Sequence, residues 1–159
     1  YGCHFAVLQM KKQGGGHIIN IASAAGYANM PNMAMYNVTK AAVISLSETL
    51  YAELVPFGIG ISVVMPTFFR SNIMQHNRGP EEATSVGKVL SQKAKITPDV
   101  VADKILTQAG SGKFNIFHPF QANLVWYLKR FLPNTFLNVK ANMFKKKDWV
   151  RKKIMARDK

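Results

Sequence analysis

The chain has 159 residues, of which 48% are hydrophobic and 18% charged, so it can form one globular domain with a buried core. Its apolar runs fall short of the roughly 20 residues that span a bilayer, and its single cysteine, Cys3, excludes an intramolecular disulfide and favours a reducing compartment such as the cytoplasm. The net charge of +13 is concentrated at one end, because residues 129–159 carry 11 Lys/Arg against 2 Asp/Glu.

The first half of the chain has the pattern of a strand–helix–strand unit. Residues 1–12 are typical of the end of a helix, which the glycines of residues 14–16 close. The isoleucines of HIINIAS predict a short strand buried on both faces, and a loop, SAAGYANMPN, leads to a helix over residues 33–54. GISVVMP predicts a second buried strand that ends at Pro66. This order predicts parallel strands joined by a right-handed crossover.

The second half of the chain contains a polar segment, a helix, a strand and a basic tail. Residues 67–96 are polar and predict a loop or a short-helix insertion. TPDVVADKILTQAG has a helix start, with Thr97 as the N-cap and proline and aspartate in the first turn. KFNIF predicts a third strand. From residue 121 the chain is amphipathic and basic, with an interruption at Pro133.

Three strands with intervening helices predict an α/β fold, a partial doubly wound parallel sheet with a basic helical tail. We divide the chain into residues 1–120, the sheet domain, and residues 121–159, a basic amphipathic extension. A glycine-rich turn between a strand and a helix, which would bind a pyrophosphate, is not found, because the glycines of residues 14–16 precede a strand. The sequence is therefore expected to be the C-terminal part of a larger α/β domain.

Three polar side chains in the strand–loop–helix unit could together exchange a proton with a substrate. Tyr36 and Lys40 lie four positions apart, which places them on one helix face, where an ammonium group stabilises a phenolate. Ser23 follows the first strand at the sheet edge where α/β proteins bind ligands, and its hydroxyl can hydrogen-bond a carbonyl oxygen. Each residue has a simpler interpretation alone: a Tyr–Lys pair is usually a pair of surface neighbours, and a strand-end serine usually forms a turn. Together they predict a proton-transfer site.

Three segments, HIINIASAAG, YNVTK and GISVVMPTFFRSNI, closely resemble the C-terminal half of the classical short-chain dehydrogenase/reductases. That family has a Tyr-x-x-x-Lys motif, a serine at the spacing that separates Ser23 from Tyr36, and a Pro-Gly-x-x-x-Thr stretch after the next strand. The resemblance covers roughly residues 1–110 and implies a Rossmann-like fold. It also implies an NAD(P)-dependent oxidoreductase that transfers a hydride between a nicotinamide and a carbonyl or alcohol substrate.

The resemblance implies a role for each residue of the proposed triad. Tyr36 would be the general acid/base and would also contact the cofactor. Lys40 would stabilise its phenolate and hold the nicotinamide ribose hydroxyls, and Ser23 would orient the substrate oxygen. Nearby methionines either pack the loop and the helix start or form an apolar wall for a hydrophobic small-molecule substrate: Met30, Met33 and Met35.

The resemblance also implies a nicotinamide-lining segment from Pro66 to Ser71. The backbone near Phe69 would face the carboxamide, and Ser71 takes the place of the family's threonine. The family's glycine after the proline is Thr67 here, which adds a side chain near the cofactor. Residues that choose NAD or NADP would precede Tyr1, so the preference between the two cofactors stays open.

The tail mixes aromatic and basic residues and has three interpretations. It could be a solvated helix that packs on its own domain or on a neighbouring subunit, as in a homo-oligomer, or a helix on an anionic membrane surface. Nucleic-acid binding ranks lowest, because no known binding module frames the tail. An alternative function follows, that of a truncated, non-catalytic module acting at a membrane or an interaction partner.

Histidines show no metal-ligand spacing, so we predict no metal site and a structural role for them: His17, His76 and His118.

Overall fold

The structure is a computed structural model. It describes residues 1–73, 75, 81–120 and 122–155. Within these ranges it describes every side chain except those of residues 81–83, 85, 86 and 147–155. The chain divides into two units, a sheet unit, Tyr1–Ala122, and a tail unit, Asn123–Lys159. In chain order the elements are α1 (Gly2–Gln13), β1 (Gly16–Ile21), α2 (Ala25–Ala28), α3 (Ala34–Leu54), a 3₁₀ turn (Val55–Phe57), β2 (Ile59–Pro66), α4 (Glu81–Lys93), α5 (Pro98–Gly110), β3 (Asn115–His118), α6 (Ala122–Phe131) and α7 (Pro133–Met155).

The three strands form one parallel sheet in the order β1-β2-β3, which confirms the predicted α/β fold with a helical tail. The β1–β2 register runs from Gly16 opposite Ile59 to Ile21 opposite Val64. The β2–β3 register ends with Pro66 opposite His118. Because all strands are parallel, their carboxyl ends meet at one edge of the sheet. The residues that follow β1 and β2 are thereby brought together at that edge.

The central strand, β2, supplies most of the buried surface. Its apolar run is buried on both faces because it lies between two neighbouring strands and is covered by helices. One cluster joins Ile18 of β1, Leu54 of α3 and Ile61 of β2, and α1 packs against it through Val7. A second cluster joins Val64, Ala109 and Ile116. These contacts fix α3 and α5 on the sheet.

The prediction that β1 is buried on both faces is wrong. Ile18 is buried, but Ile21 is 52% exposed. The reason is that β1 is the outer strand of the described sheet, with a hydrogen-bonded neighbour on one side only. A run of isoleucines indicates that these side chains favour burial. The run does not determine whether a second strand or a helix covers both faces of the strand.

Local structure departs from the prediction in one further place, the loop after β1, and agrees with it in the polar segment, predicted as a loop or a short-helix insertion. The loop SAAGYANMPN contains the short helix α2, all four residues of which are buried. The polar segment 67–96 contains the 13-residue helix α4. Thr97 occupies the N-cap of α5 as predicted, but its side chain makes no capping hydrogen bond. The helical tail is interrupted just before Pro133, as predicted, and Pro133 is the first residue of α7.

Tyr27 in α2 ties the loop after β1 to the end of the sheet unit. It is buried, its hydroxyl donates to the carbonyl oxygen of Ala122 at 2.9 Å, and its ring meets Phe117 edge to face at 6.0 Å. Burial raises the pKa of Tyr27 from 10.0 to about 12. The folded state therefore retains this proton at a pH at which the unfolded chain has lost it.

We expect this difference to make the protein less stable in alkali. The contribution of neutral Tyr27 is fully present below pH 10, the unfolded value, and is lost as the pH rises towards 12. The free energy of unfolding should fall by about 1.4 kcal/mol for each pH unit in that window because of this group. Urea unfolding at pH 9 and pH 11.5 measures the slope, which should be shallower in Tyr27→Phe. Equal slopes in both proteins would contradict the assignment.

Candidate active site

Ser23 lies at the carboxyl edge of the sheet between two residues that are bonded to β2. The amide of Ala22 donates to the carbonyl oxygen of Val64 at 2.8 Å, and the amide of Ala24 donates to that of Pro66 at 2.9 Å. The parallel pairing of β1 and β2 thus continues past the end of β1. Because the backbone is held on both sides, the position of Ser23 is fixed by the sheet.

The side chain of Ser23 also hydrogen-bonds to the first residue of the helix that follows it. Its Oγ accepts a hydrogen bond from the amide of Ala25 at 3.1 Å, at the start of α2. This bond occupies an acceptor site and leaves the hydroxyl hydrogen free to donate to an oxygen of a bound molecule. Ser23 is half-buried. The predicted turn-forming role and the predicted substrate-orienting role are therefore compatible.

Tyr36 and Lys40 lie in the first two turns of α3 with their side chains on the same face. The Lys40 Nζ atom is 5.7 Å from the centroid of the Tyr36 ring. The same Nζ donates a hydrogen bond of 3.2 Å to the carbonyl oxygen of Ile21, and Ile21 is the last residue of β1. Within the described part of the chain, the Tyr36 hydroxyl makes no hydrogen bond. Lys40 thus links the helix to the strand end, and two of its three ammonium hydrogens are left for a ligand.

Gly26 lets α2 approach the backbone of α3 at Lys40. A Cβ atom at Gly26 would lie 2.7 Å from the carbonyl carbon and 2.8 Å from the carbonyl oxygen of Lys40, and 2.9 Å from the amide nitrogen of Ala41. These atoms belong to a helix backbone and cannot move aside as the end of a side chain could. The glycine therefore sets the spacing between the loop that carries Ser23 and the helix that carries Tyr36.

We expect Gly26→Ala to destabilise the protein by about 1–3 kcal/mol, since overpacking outweighs the gain in helix propensity. The matched control is Gly110→Ala in α5, where a Cβ atom would meet nothing within 4 Å. That variant should be neutral or more stable by up to about 1 kcal/mol. Urea unfolding measures both. If Gly26→Ala were as stable as Gly110→Ala, the close approach of α2 to α3 would be refuted.

Asn37, next to Tyr36, holds the loop that precedes α3. It is buried, and its Nδ2 donates to the carbonyl oxygen of Met30 at 2.8 Å. The loop needs such a bond because Asn29 and Asn32 both adopt left-handed backbone conformations, with φ of 52° and 62°. The Oδ1 atom of Asn37 is buried, and no described residue hydrogen-bonds to it. Asn37 is not among the predicted site residues. The sequence signal for it is the pair of asparagines in the preceding loop, a residue type that favours left-handed backbone conformations.

The segment from Pro66 to Ser71 is held by residues that the sequence analysis did not identify. The amide of Arg70 donates to the carbonyl oxygen of Ile96 at 3.0 Å. Ser91, buried in α4, has its Oγ 3.1 Å from the carbonyl oxygen of Phe69 and 3.2 Å from that of Ser71. A hydroxyl has one hydrogen, so Ser91 donates to one of these carbonyls at a time. Helix α4 therefore fixes the stretch that the family resemblance assigns to the nicotinamide.

Thr67 and His118 connect the ends of β2 and β3. The amide of Thr67 donates to the carbonyl oxygen of His118 at 2.7 Å. The His118 ring is buried, and its Nε2 has no hydrogen-bond partner among the residues that the structure describes. Burial, with a smaller contribution from Lys104, lowers the pKa of His118, so the ring is neutral at pH 7. His118, which is predicted to have a structural role, lies at the same sheet edge as Ser23.

The remaining histidines and the methionines add little to the site. His17 Nε2 lies 2.8 Å from Ser62 Oγ, and His76 lies outside the described residues. Met30 and Met35 are exposed. Across the part of the chain that the structure describes, no three His, Cys, Asp or Glu side chains gather into a possible metal site, and no helix is long and apolar enough to cross a membrane.

The chain is similar to several curated proteins. One is a Drosophila melanogaster dehydrogenase/reductase SDR family protein 7-like, 30% identical over 146 residues, or 91% of this chain and 44% of the relative. An 11-beta-hydroxysteroid dehydrogenase-like 4A from Arabidopsis thaliana is 44% identical over 66 residues, or 42% of this chain and 21% of the relative. The chain thus spans less than half the length of these relatives.

Solved structures agree with the sequence relatives. A short-chain dehydrogenase/reductase from Burkholderia phymatum, in complex with NAD, superposes with a TM-score of 0.68 at 28% identity, over 76% of this chain and 49% of the other. A short-chain dehydrogenase from Streptomyces avermitilis gives 0.58 at 25% identity, over 91% of this chain and 55% of the other. The family model for short chain dehydrogenase matches residues 1–82, more than half of the chain. The chain therefore belongs to the short-chain dehydrogenase family.

Proposed function

We propose that this chain carries the catalytic part of an NAD(P)-dependent oxidoreductase acting on a carbonyl or alcohol substrate. The observation that carries the proposal is the Tyr36–Lys40 pair, with Nζ 5.7 Å from the ring centroid and bonded to the carbonyl oxygen of Ile21. This arrangement places a phenol and a cation at the sheet edge where α/β proteins bind ligands.

Proton transfer is the part of the reaction that the chain's own side chains perform. In carbonyl reduction, Tyr36 gives its hydroxyl proton to the substrate oxygen while the carbonyl carbon gains a hydride, and the product is an alcohol. Lys40 stabilises the resulting phenolate, which regains a proton from solvent. Ser23 donates a hydrogen bond to the same substrate oxygen and orients it. Alcohol oxidation runs through the same groups in the opposite direction.

The residues at the sheet edge suit a nicotinamide cofactor. When bound, the nicotinamide supplies or accepts the hydride. The two free ammonium hydrogens of Lys40 can bind ribose hydroxyls, and the segment from Pro66 to Ser71 is held in place by Ser91. The NAD complex of the Burkholderia relative supports the same cofactor class.

The test uses the full-length protein that carries this sequence. NADH and NADPH are titrated separately while nicotinamide fluorescence is followed, and a panel of apolar ketones and aldehydes is then assayed for oxidation of the bound cofactor. We expect saturable binding of one cofactor and turnover of at least one carbonyl compound. Absence of binding for both cofactors would refute the proposal, and binding without turnover across the panel would refute the proton-transfer role of the triad.

A further inference from the structure

Helix α6 carries an exposed apolar stripe on one face. Four large hydrophobic side chains recur at positions i, i+3, i+4 and i+7, which is the spacing of a single helix face: Leu124, Tyr127, Leu128 and Phe131. All four are exposed, with Leu124 at 63% and Phe131 at 73%. We call this set the apolar stripe. Scattered exposed apolar residues are ordinary on proteins, but four on one face of a ten-residue helix need a partner.

The part of α6 outside the stripe carries two basic side chains in its last turn. Lys129 and Arg130 fall outside the stripe, and the Arg130 guanidinium lies 5.1 Å from the centroid of the Trp126 ring. An aromatic ring beside an arginine is the pairing found where a helix meets lipid headgroups, because one part is apolar and the other charged. Helix α6 thus presents an apolar face flanked by cations.

The chain that follows α6 adds a strong positive charge. Residues 129–159 carry 11 Lys/Arg against 2 Asp/Glu. Lys145 and Lys146 are exposed on α7. Burial, together with repulsion from Lys129, lowers the pKa of Lys140, so cations of the two helices already lie close to one another. An anionic surface would relieve this repulsion, and a neutral one would not.

We propose that the tail unit binds an anionic lipid surface, with the apolar stripe of α6 inserted at the headgroup level and the cations of α7 against the acidic headgroups. Lipid accounts for both features at once, since burial of the stripe and attraction of the basic residues act together at such a surface. The proposal is independent of the catalytic function of the sheet unit.

The other two possible partners explain only part of the surface. A second copy of the chain could cover the stripe, but a symmetric pairing would bring two strongly basic tails together and raise the repulsion. Nucleic acid could neutralise the charge, but bases bind to aromatic faces, and the Tyr127 and Phe131 rings stack on each other at 6.2 Å. Leu124 and Leu128 in the stripe suit acyl chains rather than bases.

The experiment is co-sedimentation of the full-length protein with vesicles of pure phosphatidylcholine and of phosphatidylcholine with 30% phosphatidylserine, about 0.15 M salt being present throughout. We expect at least tenfold tighter binding to the anionic vesicles. Leu124→Ser/Phe131→Ser and Lys145→Gln/Lys146→Gln should each weaken that binding roughly tenfold, the first by removing apolar contact and the second by removing charge.

Matched controls change the same residue types elsewhere. Leu106→Ser removes a side chain of α5 that is 62% exposed. Lys93→Gln/Lys95→Gln removes two exposed cations, one at the last residue of α4 and one in the segment that leads to α5. Neither should alter vesicle binding. The residues changed in the tail are exposed, and circular dichroism verifies that each variant keeps its helices.

Several results would overturn the proposal. Equal binding to neutral and anionic vesicles would remove the role of charge, and unchanged binding of the stripe variant would remove the role of insertion. The wild-type protein could instead form a dimer and fail to bind vesicles, while the stripe variant is a monomer. That result would assign the apolar stripe to contact with a second copy of the chain. Tighter binding to a 20-nucleotide single strand than to the anionic vesicles would assign the tail to nucleic acid. The wild-type comparison decides the proposal even if a variant were to misfold.

Discussion

Replacing Tyr36 by phenylalanine is expected to lower kcat for carbonyl reduction by a factor of about 10²–10⁴, the usual contribution of a positioned acid or base. The change removes one oxygen atom and keeps the ring, and the Tyr36 hydroxyl makes no hydrogen bond within the described part of the chain. The free energy of unfolding should therefore stay within about 0.5 kcal/mol of the wild-type value, as for most surface changes. Steady-state kinetics and urea unfolding of the full-length protein measure the two quantities.

Tyr51→Phe is the matched control for this prediction. Tyr51 lies in the same helix, α3, and its ring packs against Phe114 at a centroid distance of 4.9 Å, so it has a packing role. Its variant should keep full activity. The affinity for nicotinamide cofactor should survive in Tyr36→Phe, because Lys40 and the segment from Pro66 to Ser71 are unchanged. Near-normal turnover by Tyr36→Phe would exclude Tyr36 as the proton donor.

Features set by short-range sequence could be predicted in advance. The apolar run of β2 and the long periodic stretch of α3 give strong local signals, and the parallel sheet follows from their order along the chain. The carboxyl-edge location of Ser23 and the shared face of Tyr36 and Lys40 follow from strand and helix periodicity alone. Their chemical roles rest on the family resemblance and are proposals that the kinetic variants test.

Features set by packing between distant segments could not be predicted. Gly26 looked like one glycine in a loop, and its importance lies in its distance from the Lys40 backbone, which depends on how α2 docks on α3. Ser91 looked like one serine in a polar stretch, yet it reaches back 22 residues to Phe69. The exposure of Ile21 depends on the missing neighbour of β1 among the described strands. In each case the sequence specifies a residue type and the tertiary contact gives it a function.

Replacing Lys40 by methionine is expected to reduce both cofactor affinity and turnover, each by about 10- to 100-fold, the range of hydrogen bonds to charged groups. Methionine keeps a long, flexible side chain but has no charge and no N–H donor. The variant loses the cation 5.7 Å from the Tyr36 ring and the hydrogen bond to the carbonyl oxygen of Ile21. Fluorescence titration of the cofactor and measurement of kcat separate the two effects.

A matched lysine distinguishes this role from a general cation–aromatic contact. The Lys11 Nζ atom lies only 3.9 Å from the centroid of the Phe57 ring, closer than Lys40 lies to Tyr36, yet it stands at the end of α1 away from the carboxyl edge of the sheet. Lys11→Met should therefore leave cofactor affinity and kcat unchanged. Lys40→Arg keeps the positive charge, so its kcat should be closer to the wild-type value than its cofactor affinity is. The reason is that a charge stabilises the phenolate from a distance, whereas binding of the ribose hydroxyls depends on the geometry of the donors. Wild-type cofactor affinity in Lys40→Met would show that the ammonium does not bind the cofactor. Equal kcat in Lys40→Met and Lys40→Arg would show that its charge does not assist Tyr36.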